Sequence, residues 1–265
     1  IVPALAMVAT PALQAAPVKG KRAAPAAKRA PTQPAPKADP NTPWLYRGSD
    51  IPHDKEWQFG ELPNGVRYVV RKNGVPPGQV SIRIRMDVGS LYEQEHERGF
   101  SHLLEHMVFR QSRYLGEGEA IPTWQRMGAT FGSDTNAETS PVSTTYKLDL
   151  PNATEASVDE SMKLLSGMMI APVINEKNVR TDVPIVLAEM RERGGTATRV
   201  FEQTQQTLFA GQKLAVRPVI GTPATLNAAN AATVTQFHQR WYRPENTVVI
   251  VSGDIAPEAM EASIK

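Results

Sequence analysis

Residues 98–110 read Arg-Gly-Phe-Ser-His-Leu-Leu-Glu-His-Met-Val-Phe-Arg. Inside this stretch, His102-Leu103-Leu104-Glu105-His106 sets two histidines four positions apart with a glutamate between them. On an α-helix that spacing puts the two imidazoles about 40° apart around the axis and one turn along it. Rings so placed can converge on one metal ion through Zn–N bonds of about 2.0–2.1 Å. Glu105 then lies beside the ion, where its carboxylate can hold a water. The three groups run in the reverse order of the H-E-x-x-H helix. Leu103, Leu104, Met107, Val108 and Phe109 make the rest of the segment apolar, so the helix is expected to be buried. Two histidines and a carboxylate are costly to bury unless something binds them. The plainer alternative is a chance pair of histidines, with Glu105 a surface partner of Arg98 or Arg110.

Outward from this helix, the pattern predicts alternating sheet and helix. Gln58–Leu62 and Val66–Arg71, joined through Pro63-Asn64-Gly65, carry the turn chemistry of a hairpin. Val80, Ile82, Ile84, Met86 and Val88 alternate with polar residues, the mark of a strand with one buried face. An acidic loop (Glu93, Glu95, Glu97) and Gly99 lead into the histidine helix. A short helix is expected near 118–127, then strands at Thr130–Asn136 and Val142–Leu150. Helical spacing follows over 153–170, and again over 176–210 with breaks at Pro184 and at Gly194-Gly195. Residues 224–242 read as two helical pieces around Asn227–Asn230, and Asn246–Ser252 as a buried strand closed by Gly253-Asp254. Together these predict an α+β fold, one sheet packed on one side by helices.

Composition narrows the chemistry. There is no cysteine, so disulfides and thiolate metal sites are excluded and His, Asp and Glu remain as ligands. The formal charge of +2 belongs to residues 17–43, where six basic residues face Asp39 alone; the remainder is net acidic. No surface interleaving basic and aromatic residues points to nucleic acid. Residues 17–43, rich in Pro, Ala and Lys/Arg, read as a disordered tether. Residues 1–16 are uncharged, too short and proline-broken to span a bilayer, and read as the remnant of a secretory signal peptide. The folded domain is expected over 44–265.

A catalytic zinc site needs a third protein ligand and an open position for water. His53, His96 and His238 are poor candidates, and a carboxylate fits better. Glu189 ends the apolar run Val183-Pro184-Ile185-Val186-Leu187-Ala188, where an unpaired acid is expensive to bury. Asp182 lies two helical turns earlier on the same face, suited to orienting a ligand or the metal site. The alternative pairs Glu189 with Arg193 at i+4 on a solvated face, and spacing does not separate the two.

His102-x-x-Glu105-His106 with Met107-x-Phe109, Gly89-Ser90, Gly99, Asn136-Ala137-x-Thr139, Ile185–Glu189, and Trp241-Tyr242-x-Pro244-x-Asn246 up to Gly253-Asp254 resemble the pitrilysin/insulinase family of inverted-motif zinc peptidases. The similarity covers about Leu62 to the C-terminus and is greatest to the large bacterial zinc proteases of the periplasm. It implies one Zn2+ per domain, with His102, His106 and Glu189 as ligands, Glu105 as general base and Asp182 behind the ligands. It also implies that Asn136 and Ala137 lie on the edge strand to which an extended peptide pairs. Periplasmic or secreted placement agrees with the leader at 1–16. Two departures stand out: Arg110-Gln111-Ser112 replaces the family's Lys-Gly-Thr, and Asp182 replaces a glutamate. Family members enclose substrate between paired halves, so C-terminal domains or a partner subunit are expected to complete the site, and this piece alone to be weak or inactive. A non-catalytic scaffold or binding subunit of the same fold is the alternative function.

Overall fold

Strand β1 (Gln58–Glu61) turns into β2 (Arg67–Lys72) through the hairpin its residues predict. Gly65 adopts the left-handed φ of 92° that the turn requires, and the Asn64 side chain accepts from Val66 N–H at 3.2 Å. The computed structural model describes Trp44, Asp50 and residues 52–265, so the expected leader at 1–16 and tether at 17–43 lie outside the described residues.

Six strands form one sheet in the order β1-β2-β6-β3-β5-β4. β3 (Val80–Met86), β4 (Thr135–Thr139) and β5 (Thr144–Leu150) run antiparallel to their neighbours. β6 (Thr247–Gly253) returns from the far end of the chain into the middle, parallel to β2 and antiparallel to β3. Ile82 stands opposite Leu148 and Val251, and Ile84 opposite Tyr146 and Val249, so one face is continuously apolar. The other face carries ion pairs, among them Arg83–Asp149 at 2.6 Å and Arg67–Asp87 at 2.7 Å. Among the described residues, helices pack on the apolar face. That is the α+β layer the alternation of β3 and β5 predicts.

Two expectations need correcting. The strand expected at Thr130–Asn136 starts only at Thr135. Residues 130–134 fold into a local turn, with Asp134 accepting from Thr130 N–H at 2.7 Å and Gly132 at φ 94°. Pro184 does not break its helix: α4 runs unbroken over Glu176–Arg193. Its ring and the carbonyl it deprives of a partner, that of Arg180, lie on the exposed side. Val179, Val183 and Val186 bury the opposite side across the proline. Gly194-Gly195 does end the run, and α5 (Thr196–Leu208) follows with none of its residues buried. The second break, near Asn227–Asn230, separates α6 (Pro223–Ala228) from α7 (Ala231–Trp241), which Asn230 caps by accepting from Thr233 N–H at 3.0 Å.

The histidine stretch is helix α1 (Phe100–Arg110), with Leu103, Leu104, Met107 and Val108 fully enclosed. α1 packs on β4 and β5, and against α4 and α7. Its start is fixed twice. The Glu93 carboxylate accepts from Gly99 N–H at 2.9 Å and Ser101 N–H at 2.8 Å, satisfying two otherwise open donors. Gly99 (φ 94°) and Gly221 (φ 78°) lie back to back, and a Cβ on Gly221 would come 2.5 Å from Gly99 Cα. α2 (Ala120–Arg126), α3 (Glu155–Ile170) and α8 (Pro257–Ile264) complete the helical layer.

Candidate metal centre

α1 supplies His102, Glu105 and His106, and the packing of α4 against α1 brings Glu189 to them. Glu189 Oε2 stands 3.5 Å from His102 Nε2 and 3.4 Å from His106 Nε2. All three donor atoms lie within 4.8 Å of one another. Two ligands on one tetrahedral ion, each about 2.0–2.1 Å from it, stand about 3.3–3.4 Å apart. The Nε2–Oε2 separations are therefore long for hydrogen bonds and right for ligands that share a cation. Two neutral imidazoles and one carboxylate are also a donor set that suits zinc, so the residues fit the group.

Electrostatics favours that state. Burial first, then His106 and Arg193, pushes His102 down to about 3, which keeps its ring neutral and able to ligate near neutral pH. Burial pushes Glu105 up to about 7, partly offset by the hydrogen bond from Thr139. Thr139, the last residue of β4, donates its hydroxyl to Glu105 Oε2. The other suggested partners of Glu105 are engaged elsewhere: Arg98 donates to Val216 O at 2.6 Å, and Arg110 grips Asp182.

Asp182 is buried on α4, and its hydrogen bonds go to Arg110, not to a histidine. Arg110 Nε donates to Oδ2 at 2.8 Å and Nη2 to Oδ1 at 2.6 Å, a two-pronged tie between α1 and α4. Asn136 and Ala137 lie on β4, the sheet edge beside α1. The Asn136 side chain accepts from Ala137 N–H at 2.9 Å and donates to Gly132 O at 3.3 Å. The two partnerships absent from the sequence reading, Thr139 on Glu105 and Arg110 on Asp182, had a partial signal. Arg110 is one turn past His106 and so shares its face. Thr139 appears in the motif, but nothing local says what its hydroxyl meets.

The remaining histidines stay apart from this cluster. His238 Nε2 lies 2.7 Å from Met169 O, and the ring stacks on Tyr242. An apolar cleft of about 510 Å³ between α3, α8 and β6, lined by Met86, Met162, Tyr242 and Ile264 among others, contains none of the three donors.

Residues 68–222, more than half of the chain, match the family model described as Insulinase (Peptidase family M16). Residues 228–265 match the Peptidase M16 inactive domain. The chain is 31% identical to the probable zinc protease PqqL of Escherichia coli over 215 residues, 81% of this chain and 23% of that protein. The crystal structure of the first half of that periplasmic protease superposes with a TM-score of 0.78, covering 81% of this chain and 46% of that one. The ferredoxin protease FusC, solved in complex with Arabidopsis ferredoxin, superposes with a TM-score of 0.73 at 32% identity, covering 78% of this chain and 23% of that one. This chain thus spans about a quarter of the length of PqqL.

Proposed function

The chain belongs to the insulinase peptidase family, M16, and from that premise we propose that it carries the zinc site of an endopeptidase acting on extended peptides or small unfolded proteins. The observation that carries this reading is Glu189 Oε2, delivered by a separate helix to within 3.5 Å of both histidine Nε2 atoms. His102, His106 and Glu189 would hold one Zn2+. When bound, the ion supplies a Lewis acid that activates water and polarises the scissile carbonyl.

The chain's own groups supply the rest. Glu105 takes up the proton of the attacking water at a carboxylate oxygen and returns it to the leaving amine nitrogen. Thr139 holds Glu105 through Oε2, leaving Oε1 for the water. The exposed edge of β4, at Asn136 and Ala137, receives the substrate as an added strand through main-chain pairing, which reads shape more than sequence. Asn136 must turn aside for this, since its side chain accepts from Ala137 N–H.

We place it in the periplasm as part of the same proposal; the relative described as periplasmic and the leader-like residues 1–16 support this. Efficient cleavage is proposed to need further domains or a partner subunit, given the greater length of the relatives.

The test measures zinc by elemental analysis and peptide cleavage by fluorescence, on this chain and on a longer polypeptide that includes it. One zinc per chain is expected. Glu105→Gln keeps the zinc and loses at least about 100-fold in hydrolysis, and His106→Ala loses both. Cleavage surviving in zinc-replete Glu105→Gln protein overturns the assignment. A chain that binds no stoichiometric zinc supports a scaffold subunit instead.

A further inference from the structure

We propose that Arg193 is a positioning residue for the third ligand: it occupies one oxygen of Glu189 and thereby presents the other, alone, to the metal. This rests on the zinc reading above. Glu189 is shared by two sets of partners. Oε1 forms an ion pair with Arg193 Nη2 at 2.6 Å, while Oε2 faces the two histidine nitrogens at 3.4 and 3.5 Å. A carboxylate with both oxygens free can rotate, chelate an ion through both, or swing to solvent. One held at Oε1 offers a single donor in a fixed direction.

The reach of Arg193 is set by the end of its helix. Side chains on a helix lean toward its N-terminus, so a residue four places on points back over Glu189. The last turn is itself anchored, because Arg193 O accepts from Gly195 N–H at 2.9 Å and from the Thr198 hydroxyl. Although 70% of the Arg193 side chain is exposed, its base is fixed and its tip is spent on the ligand.

Two effects of this arginine oppose one another. Its positive charge repels a bound cation, so removing it by charge alone would tighten metal binding. Its close ion pair orients the ligand, so removing it loosens binding, and losing such a partner typically costs about 10-fold or more in affinity. Screening by solvent at an exposed guanidinium weakens the first effect, and orientation wins. Arg191 separates the two. It lies on the same helix with the same charge, about 200° around the axis from Glu189.

The test measures zinc affinity of the whole chain by competition with a chromogenic chelator, for wild type, Arg193→Ala, Arg193→Lys and Arg191→Ala. The urea midpoint of each metal-free protein and the visible absorption of each cobalt(II) form are recorded alongside. Arg193→Ala is expected to bind zinc about 10-fold more weakly, with Arg193→Lys recovering part of the loss. Arg191→Ala should match wild type, and the metal-free midpoints should coincide. The cobalt form of Arg193→Ala should absorb more weakly, as a carboxylate free to bind through both oxygens raises the coordination number. Zinc binding in Arg193→Ala as tight as or tighter than wild type overturns the proposal, as does an equal loss in Arg191→Ala. Wild type that binds no zinc removes the metal reading itself, so the two failures are distinct.

Discussion

Thr139 ends the strand proposed to receive the peptide, and its hydroxyl holds the carboxylate proposed to move the proton. On that proposal, substrate docking and proton transfer are tied at one residue. Replacing it by the isosteric valine removes the donor and keeps the volume. Thr139→Val is expected to lower the cleavage rate about 10-fold while zinc content stays at one per chain, read by elemental analysis beside steady-state kinetics. Unchanged turnover would dismiss the tie. Glu189 shows a different kind of economy. The pair with Arg193 that its i+4 spacing suggests falls on Oε1, and the approach to His102 and His106 falls on Oε2.

At the level of elements, the candidate metal centre is a matter of how α1 and α4 meet. The Arg110–Asp182 pair fixes that meeting one turn beyond His106 and two turns before Glu189. Removing one partner leaves the other charged and largely enclosed, so Asp182→Ala should cost about 3 kcal/mol and lower the urea midpoint. Zinc affinity should fall with it, because the helix that brings Glu189 loses its register against α1. Helix α7 supplies the pH prediction. A carbonyl can only accept, so His238 donates from Nε2 to Met169 O as a neutral ring. Burial holds its pKa below the ordinary 6.5. With a depressed folded pKa, its contribution is complete above pH 6.5 and is lost as pH falls toward the folded value. Urea midpoints measured from pH 7.5 downward should therefore fall less steeply in His238→Gln, which can still donate to that carbonyl. Parallel slopes would rule this out.

Across the whole molecule, the element that makes one sheet out of two pieces is β6. It stands between β2 and β3, so without it the hairpin β1–β2 has no neighbour and the apolar face beneath loses Val249 and Val251. Deleting residues 247–265 is expected to abolish the cooperative thermal transition, followed by near-UV circular dichroism. A sharp transition in the shortened chain would show that the sheet closes without β6. Among the described residues, no helix is long and apolar enough to cross a membrane. α5 presents Val200, Phe201 and Leu208 to solvent rather than to this core.

The order of groups along the chain determined a good deal by itself. The alternation of Val80–Met86 set one buried sheet face, Asn64-Gly65 set the hairpin turn, and the four-residue spacing of His102 and His106 set two rings on one helical face. These are local matters, governed by periods of two and 3.6 residues and by turn chemistry. Only the tertiary structure decided that β6 enters the middle of the sheet, that α4 continues through Pro184, and that Asp182 serves Arg110. It alone showed that Thr139 reaches Glu105. Each of these depends on a partner tens of residues away or on which side of a helix faces water. Packing sets those facts, and no short-range spacing encodes them.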